Sequence, residues 1–131
     1  MKLITRDTGY AVRALMYMAK RPGQIVSVKE LVDGLKIPRA FLRRLLQILS
    51  RHKILTSIKG KGGGFKLKTR ARNIGLIELI KIFQGNTDII NCMFKKEFCP
   101  NIGRCPLRKR IKKIERFVRK ELDRITISNL I

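Results

Sequence analysis

Two short amphipathic stretches in tandem, joined by a tight turn, constrain this chain more than any other feature. In "SVKELVDGL" Ser27 is followed three residues later by Glu30, the pattern of a capping box, and Val28, Leu31, Val32 and Leu35 form one apolar face. This helix is expected to be short and to halt near Gly34. "IPRAFLRRLLQILSRHKIL" then opens with Pro38, suited to a first helical position. Phe41, Leu42, Leu45, Leu46, Ile48 and Leu49 recur at helical spacing, and Arg39, Arg43, Arg44, Gln47 and Arg51 occupy the opposite face. Helices this short, packed across so tight a turn, form a helix-turn-helix.

The following segment extends the motif. "ILTSIKGKGGGFKLKT" carries two runs with strand-like alternation, Leu55 to Lys59 and Phe65 to Lys68, around a glycine-rich tip. Gly62, Gly63 and Gly64 allow the backbone of a tight hairpin, while Lys59, Lys61, Lys66 and Lys68 project charge. The glycines do not make a nucleotide site, because the G-x-x-x-x-G-K-[ST] pattern is absent and no dinucleotide fingerprint fits. A helix-turn-helix followed by a basic hairpin is a winged helix. Its second helix would enter a major groove of double-stranded DNA, with the wing along the backbone or the adjacent minor groove.

Charge agrees with that reading. Thirty-one Lys and Arg against nine Asp and Glu leave a net charge of +22, which attracts polyanions. A basic helix face is often only a solvated one. Here Arg39, Arg43, Arg44 and Gln47 recur on one side directly after the turn; Arg can pair bidentately with a guanine edge and Gln with adenine. Trp is absent and aromatics are 6% of the chain, which argues against a stacking platform for single strands. No run of ~20 apolar residues suits a membrane span, and "MKLITRDTGYAVRAL" lacks the apolar core of a signal peptide. The expectation is a cytoplasmic chain with reduced thiols, bound neither to membrane nor to nucleotide. A single His and no nucleophile–base or paired-acid pattern argue against an enzyme.

The flanks carry three further segments. Apolar positions from Tyr10 to Ala19 suit a helix broken by Pro22 and Gly23, and "IGLIELIKIFQG" suits another, with Ile74, Leu76, Ile77, Ile80 and Phe83 buried. In "LRKRIKKIERFVRKELDRI" Leu107, Ile111, Ile114, Val118, Leu122 and Ile125 make one apolar stripe on a very basic helix. A helix of that kind needs a partner surface. Packing within one protomer would supply it, but a two-fold homodimer is the preferred reading, since helix-turn-helix proteins pair to read two half-sites. The expected class is mainly α with a small β-hairpin wing: a winged helix-turn-helix domain over 1–70, a connecting helix over 71–91, a cysteine-rich loop over 92–105, and a dimerisation helix with C-terminal tail over 106–131.

"NCMFKKEFCPNIGRCP" holds all three cysteines, Cys92, Cys99 and Cys105. An odd number cannot pair off within the chain, and the spacing is looser than the C-x-x-C of most zinc sites. An iron–sulfur cluster, a zinc ion and a thiol–disulfide switch each fit these residues alone. Pro100, Gly103 and Pro106 give a loop on which three thiolates could converge.

"MKLITRDTGYAVRALMYMA", "IPRAFLRRLLQIL", "GKGGGFKL" and "LDRITISNL", in this order, resemble the IscR/NsrR-type family of bacterial winged-helix iron–sulfur transcription regulators. The resemblance covers nearly the whole chain. It implies a homodimeric regulator, usually a repressor, whose cluster senses nitric oxide, redox state or cluster supply. It places Arg39, Ala40, Arg43 and Arg44 on the base-facing side of the recognition helix and Lys59 on the wing. It also implies that Cys92, Cys99 and Cys105 hold the cluster, either [4Fe-4S] or [2Fe-2S]. Two adjacent arginines, Arg43 and Arg44, stand where the assembly-regulator type has an acid and glutamine, so operator preference is expected to differ. The histidine of that type, shortly after the third cysteine, is replaced here by Arg108, which cannot ligate iron. The chain is more similar in this to the nitric-oxide-sensing type, which takes an acidic ligand from the partner's first helix. Asp7 is the nearest candidate, two residues from the aligned position at Gly9, and equally suits a helix cap or first-turn acid. Asp88, Glu97 or an exogenous thiol are the other candidates.

Overall fold

The computed structural model describes residues 3–85 and 103–131; Cys92, Cys99, Asp88 and Glu97 lie outside the described residues. The first helix, α1 (Arg6–Ala19), begins at Arg6 rather than at Tyr10. Thr5 caps it, its side chain accepting from the backbone N–H of Thr8 at 3.4 Å, and Asp7 stands in the first turn. That turn carries no apolar periodicity, so the stripe alone could not reveal it. Ala11, Ala14, Leu15 and Met18 of α1 are buried.

Next, α2 (Val28–Leu35) starts at Ser27, whose Oγ accepts from the Glu30 N–H at 3.1 Å. The second half of the capping box is diverted: the Glu30 carboxylate accepts from the Tyr17 hydroxyl at 2.9 Å. This bond, foremost, holds the Tyr17 phenol above its ordinary value near 10. Helix α2 halts near Gly34, at Leu35, and the chain turns at Lys36 in the left-handed conformation. An added Cβ at Gly34 would sit 3.1 Å from the Tyr17 ring. Arg13 from α1 caps the end by donating to the Leu35 carbonyl at 2.9 Å.

After a turn anchored by buried Ile37, α3 (Arg39–Arg51) runs with Leu42, Leu45, Leu46 and Leu49 inward; Phe41 and Ile48 are half-buried. Pro38 is its N-cap rather than its first helical residue, because its ψ of 133° is extended. Strands β1 (Leu55–Ile58) and β2 (Gly64–Leu67) pair antiparallel, Leu55 opposite Leu67 and Ile58 opposite Gly64, so Lys59 and Lys68 fall just past the strand ends. Val26 adds a third edge, exchanging two backbone hydrogen bonds with Phe65 at 2.8 and 2.9 Å. A side chain at Gly63 would collide with the Ile58 carbonyl, and one at Gly64 with the Val26 carbonyl. The tip needs glycine because backbone passes where a Cβ would stand.

Helix α4 (Leu76–Gln84) buries Leu76, Ile77, Leu79 and Ile80, of which the sequence stripe missed Leu79; Phe83 is only half-buried. Helix α5 (Pro106–Asp123) leads to a closing 3₁₀ turn, Ile127–Leu130. The tail folds back: Leu76 donates to the Ile125 carbonyl at 2.9 Å, and Ile127 to that of Ile74 at 3.0 Å, with the Ile127 side chain in the core. Of the expected stripe, Ile111, Val118, Leu122 and Ile125 are half-buried, and two positions are exposed. Leu107 is 57% exposed, Ile114 58% and neighbouring Phe117 65%, while Glu115 is buried with one carboxylate oxygen 3.4 Å from Lys112 Nζ. Among the described residues, no helix is long and apolar enough to cross a membrane.

Candidate nucleic-acid interface

Three elements meet around one open groove of about 390 Å³. Its first wall is α3, from which Arg39, Arg43 and Gln47 project at four-residue intervals. The opposite side is the hairpin, presenting Ser57, Gly63 and Gly64; the N-terminal turn of α2, with Ser27 and Lys29, closes the end. Every charged side chain lining the groove is basic. The α2 terminus adds the partial positive charge of its free N–H groups. The glycines let the hairpin close on itself at Gly63 and pack against the Val26 backbone at Gly64. A basic groove open to solvent suits a phosphate chain better than an enclosed small molecule.

The sequence-derived DNA set therefore divides. Arg39, Arg43 and Gln47 line the groove and are exposed. Ala40 is exposed on α3 outside the groove lining, and Lys59 and Lys61 are exposed on the wing beyond β1. Arg44 is turned elsewhere. Its Nη2 donates to Asp7 Oδ2 at 3.1 Å, and its guanidinium carbon lies 5.3 Å from the centre of the Phe41 ring. Arg6 covers the same ring at 4.6 Å, with its Nε 3.9 Å from Asp7 Oδ1. Sequence reasoning missed Lys29 and the Ser27 turn as groove components, although the basic residue after a helix cap was visible. His52, exposed, caps the end of α3 and touches none of the groove.

Asp7 itself rests on a fixed turn. Gln84, the last residue of α4, accepts through Oε1 from the Thr5 N–H at 2.9 Å and from the buried Thr8 hydroxyl at 2.8 Å. Its Nε2 donates to the Leu3 carbonyl at 3.3 Å. No periodicity in the sequence could announce a contact between residues so far apart.

Of the three cysteines, the structure describes Cys105, a half-buried thiol at the N-cap of α5 with no disulfide partner among the described residues. A soft donor at a helix N-terminus, where negative charge is favoured, fits an iron–sulfur ligand. Among the described residues, no three His, Cys, Asp or Glu converge on a metal position.

A family model described as "Iron-dependent Transcriptional regulator", Rrf2, matches residues 4–131. The chain belongs to the Rrf2 family. This is the family of IscR/NsrR-type regulators that the motifs resemble. Rrf2 proteins are DNA-binding transcription regulators rather than enzymes. Solved structures agree on the fold, a winged helix with a mainly helical frame. CymR, the global cysteine regulator of B. subtilis, superposes with a TM-score of 0.80 at 21% identity, over 99% of this chain and 96% of that one. The oxidised form of Staphylococcus aureus CymR gives 0.76 at 23%, over 99% and 95%. IscR from T. potens gives 0.74 at 20%, over 99% and 85%.

Proposed function

We propose that this Rrf2 protein is a homodimeric regulator, by family habit a repressor, that grips operator DNA in the groove between α3 and the wing. Its affinity would be set by an iron–sulfur cluster held by Cys92, Cys99 and Cys105. The observation that carries the DNA reading is the groove itself, where Arg39, Arg43 and Gln47 face the hairpin across a basic cleft. Arg43 and Gln47 can read base edges in a major groove. Lys29, Lys59 and Lys61 need only their charge to hold phosphate. The exposed apolar residues of α5 support dimerisation, since Leu107, Ile114 and Phe117 leave an apolar face that a second copy would bury.

The Cys105 thiol supports the cluster, as does the similarity to IscR. When bound, the cluster would supply a redox-active, nitric-oxide-reactive centre on thiolate ligands. What this chain's own residues supply is the mechanical link. The cysteine-bearing segment begins one helix-end beyond Gln84, and Gln84 holds the first turn of α1, which in turn holds Arg44 of α3. A ligand role for Asp7, donated to the partner's cluster, would compete with its contacts to Arg44 and Arg6.

A second reading is favoured by the existence of an oxidised form of S. aureus CymR among the similar structures: a cluster-free regulator switched by cysteine oxidation. One preparation separates the readings. The protein is purified without oxygen, and iron, acid-labile sulfide, zinc and the visible spectrum are measured. Iron and sulfide together with charge-transfer absorption support the cluster. Zinc alone removes it, and a metal-free protein that forms disulfides in air establishes the thiol switch. For the groove, Arg43→Ala is expected to reduce discrimination between operator and random DNA. A loss equal on all sequences would make Arg43 a phosphate contact.

A further inference from the structure

The arginines of α3 are not equivalent. Arg39 and Arg43 face the groove without any acid in its lining, whereas Arg44 is matched by the Asp7 carboxylate at 3.1 Å and lies against Phe41. In a chain with nine acids against thirty-one bases, most acids will have some cation near them. What sets Asp7 apart is its anchorage. The turn that carries it is capped by Thr5, and Gln84 binds the backbone of Thr5 and Leu3 and the buried hydroxyl of Thr8. An acid on a pinned backbone holds its partner in one place, while an acid on a free side chain follows it. Arg6 completes the set, stacking on the other approach to Phe41 and reaching Asp7 Oδ1 at 3.9 Å. The Phe41 ring and the Asp7 carboxylate, both of which Arg6 also contacts, thus orient Arg44.

We propose that Asp7 is a positioning residue that withholds Arg44 from the DNA backbone, leaving Arg39, Arg43 and Gln47 to make the contact, and that Gln84 keeps Asp7 in place. The inference rests on reading α3 as the DNA-contacting helix. A guanidinium neutralised by a carboxylate displaces no counterions from DNA. The same guanidinium, once released, can swing to a phosphate and displace about one. Asp7 therefore exchanges sequence-blind affinity for selectivity. The carboxylate lowers binding to random DNA, where phosphate contacts are nearly all of the attraction, more than it lowers binding to an operator whose bases are read by Arg43 and Gln47.

The test is a thermodynamic cycle on the full chain, read as the slope of log affinity against log salt for a random-sequence duplex. The variants are Asp7→Asn and Asp7→Glu, each made with Arg44 intact and with Arg44→Ala. With Arg44 present, Asp7→Asn is expected to steepen the slope by about 0.9, the value for one added phosphate contact on B-DNA. The increment should vanish in the Arg44→Ala background, and Asp7→Glu should restore the original slope. Gln84→Ala should move the slope in the same direction by a smaller amount. Two results overturn the inference: no steepening with Arg44 present, or equal steepening with and without it, which would be a general field effect of the lost acid. If Arg39→Ala and Arg43→Ala leave affinity and slope unchanged, the groove is not the DNA interface, and the inference falls with that reading.

Discussion

The hydroxyl of Thr8 donates to Gln84 Oε1 across 2.8 Å, joining the first turn of α1 to the last turn of α4 over 76 residues of sequence. Thr8 is fully buried, so its hydroxyl depends on that acceptor and on Thr5 Oγ1 at 3.1 Å. Gln84→Ala is expected to lower folding stability by ~1–3 kcal/mol, because a buried donor loses its acceptor. Urea denaturation measures it. Thr8→Val combined with Gln84→Ala should cost less than the two single changes added together, since neither partner is then left unmatched.

The wing makes a different demand. Gly64→Ala would drive a Cβ into the Val26 carbonyl, at the point where Val26 and Phe65 exchange backbone hydrogen bonds. The third strand edge must separate, and the groove between wing and α3 widens. The expected outcome is a loss of more than ~1 kcal/mol by thermal melting, together with weaker DNA binding. Substituting Gly103, where a Cβ would meet nothing within 4 Å, should leave the melting temperature unchanged to within a few degrees.

On α5, Ile114→Glu replaces an exposed apolar residue with a charge on a helix that is otherwise strongly basic. A monomer would tolerate it with a change within about 0.5 kcal/mol. A dimer that buries this stripe would lose ~1.5–3 kcal/mol per copy from apolar burial and suffer a buried charge as well. Sedimentation is expected to show wild-type dimer and variant monomer at the same micromolar concentration. A variant that remains dimeric would move the interface off this stripe.

Operator binding should weaken steeply as salt rises, with a slope of about 0.9 per phosphate neutralised. Titrations at several salt concentrations give the number of contacts. A flat salt response would be incompatible with the basic groove as the contact surface.

The parts legible in the sequence are those written in local pattern. The period of the leucines placed α3, and the Ser27–Glu30 spacing marked the start of α2. The three glycines marked a tip that backbone crowding at Gly63 and Gly64 now explains. Some misses are local, as with Pro38, which caps α3 instead of opening it. The rest are tertiary. Gly34 marks the end of α2, but the Tyr17 ring packed on it is not written in local pattern. Glu30 reads as half of a capping box, yet Tyr17 claims its carboxylate. The basic face of α3 reads as one surface, yet Asp7, distant in sequence, divides it. Periodicity shows which face of a helix is polar. It cannot show which polar residue will meet a partner from another helix.

The central claim is that the cysteine-bearing segment governs the DNA groove, and operator affinity measured before and after nitric oxide tests it most directly. The anaerobically purified protein and Cys99→Ala would be titrated in parallel against an operator duplex selected from a random library. The expected result is a shift of at least tenfold for the wild-type protein on nitric oxide treatment, and none for Cys99→Ala, whose affinity should already match the treated form. Equal affinity across all four titrations would contradict coupling between the cysteines and the groove, even in a protein that carries a cluster.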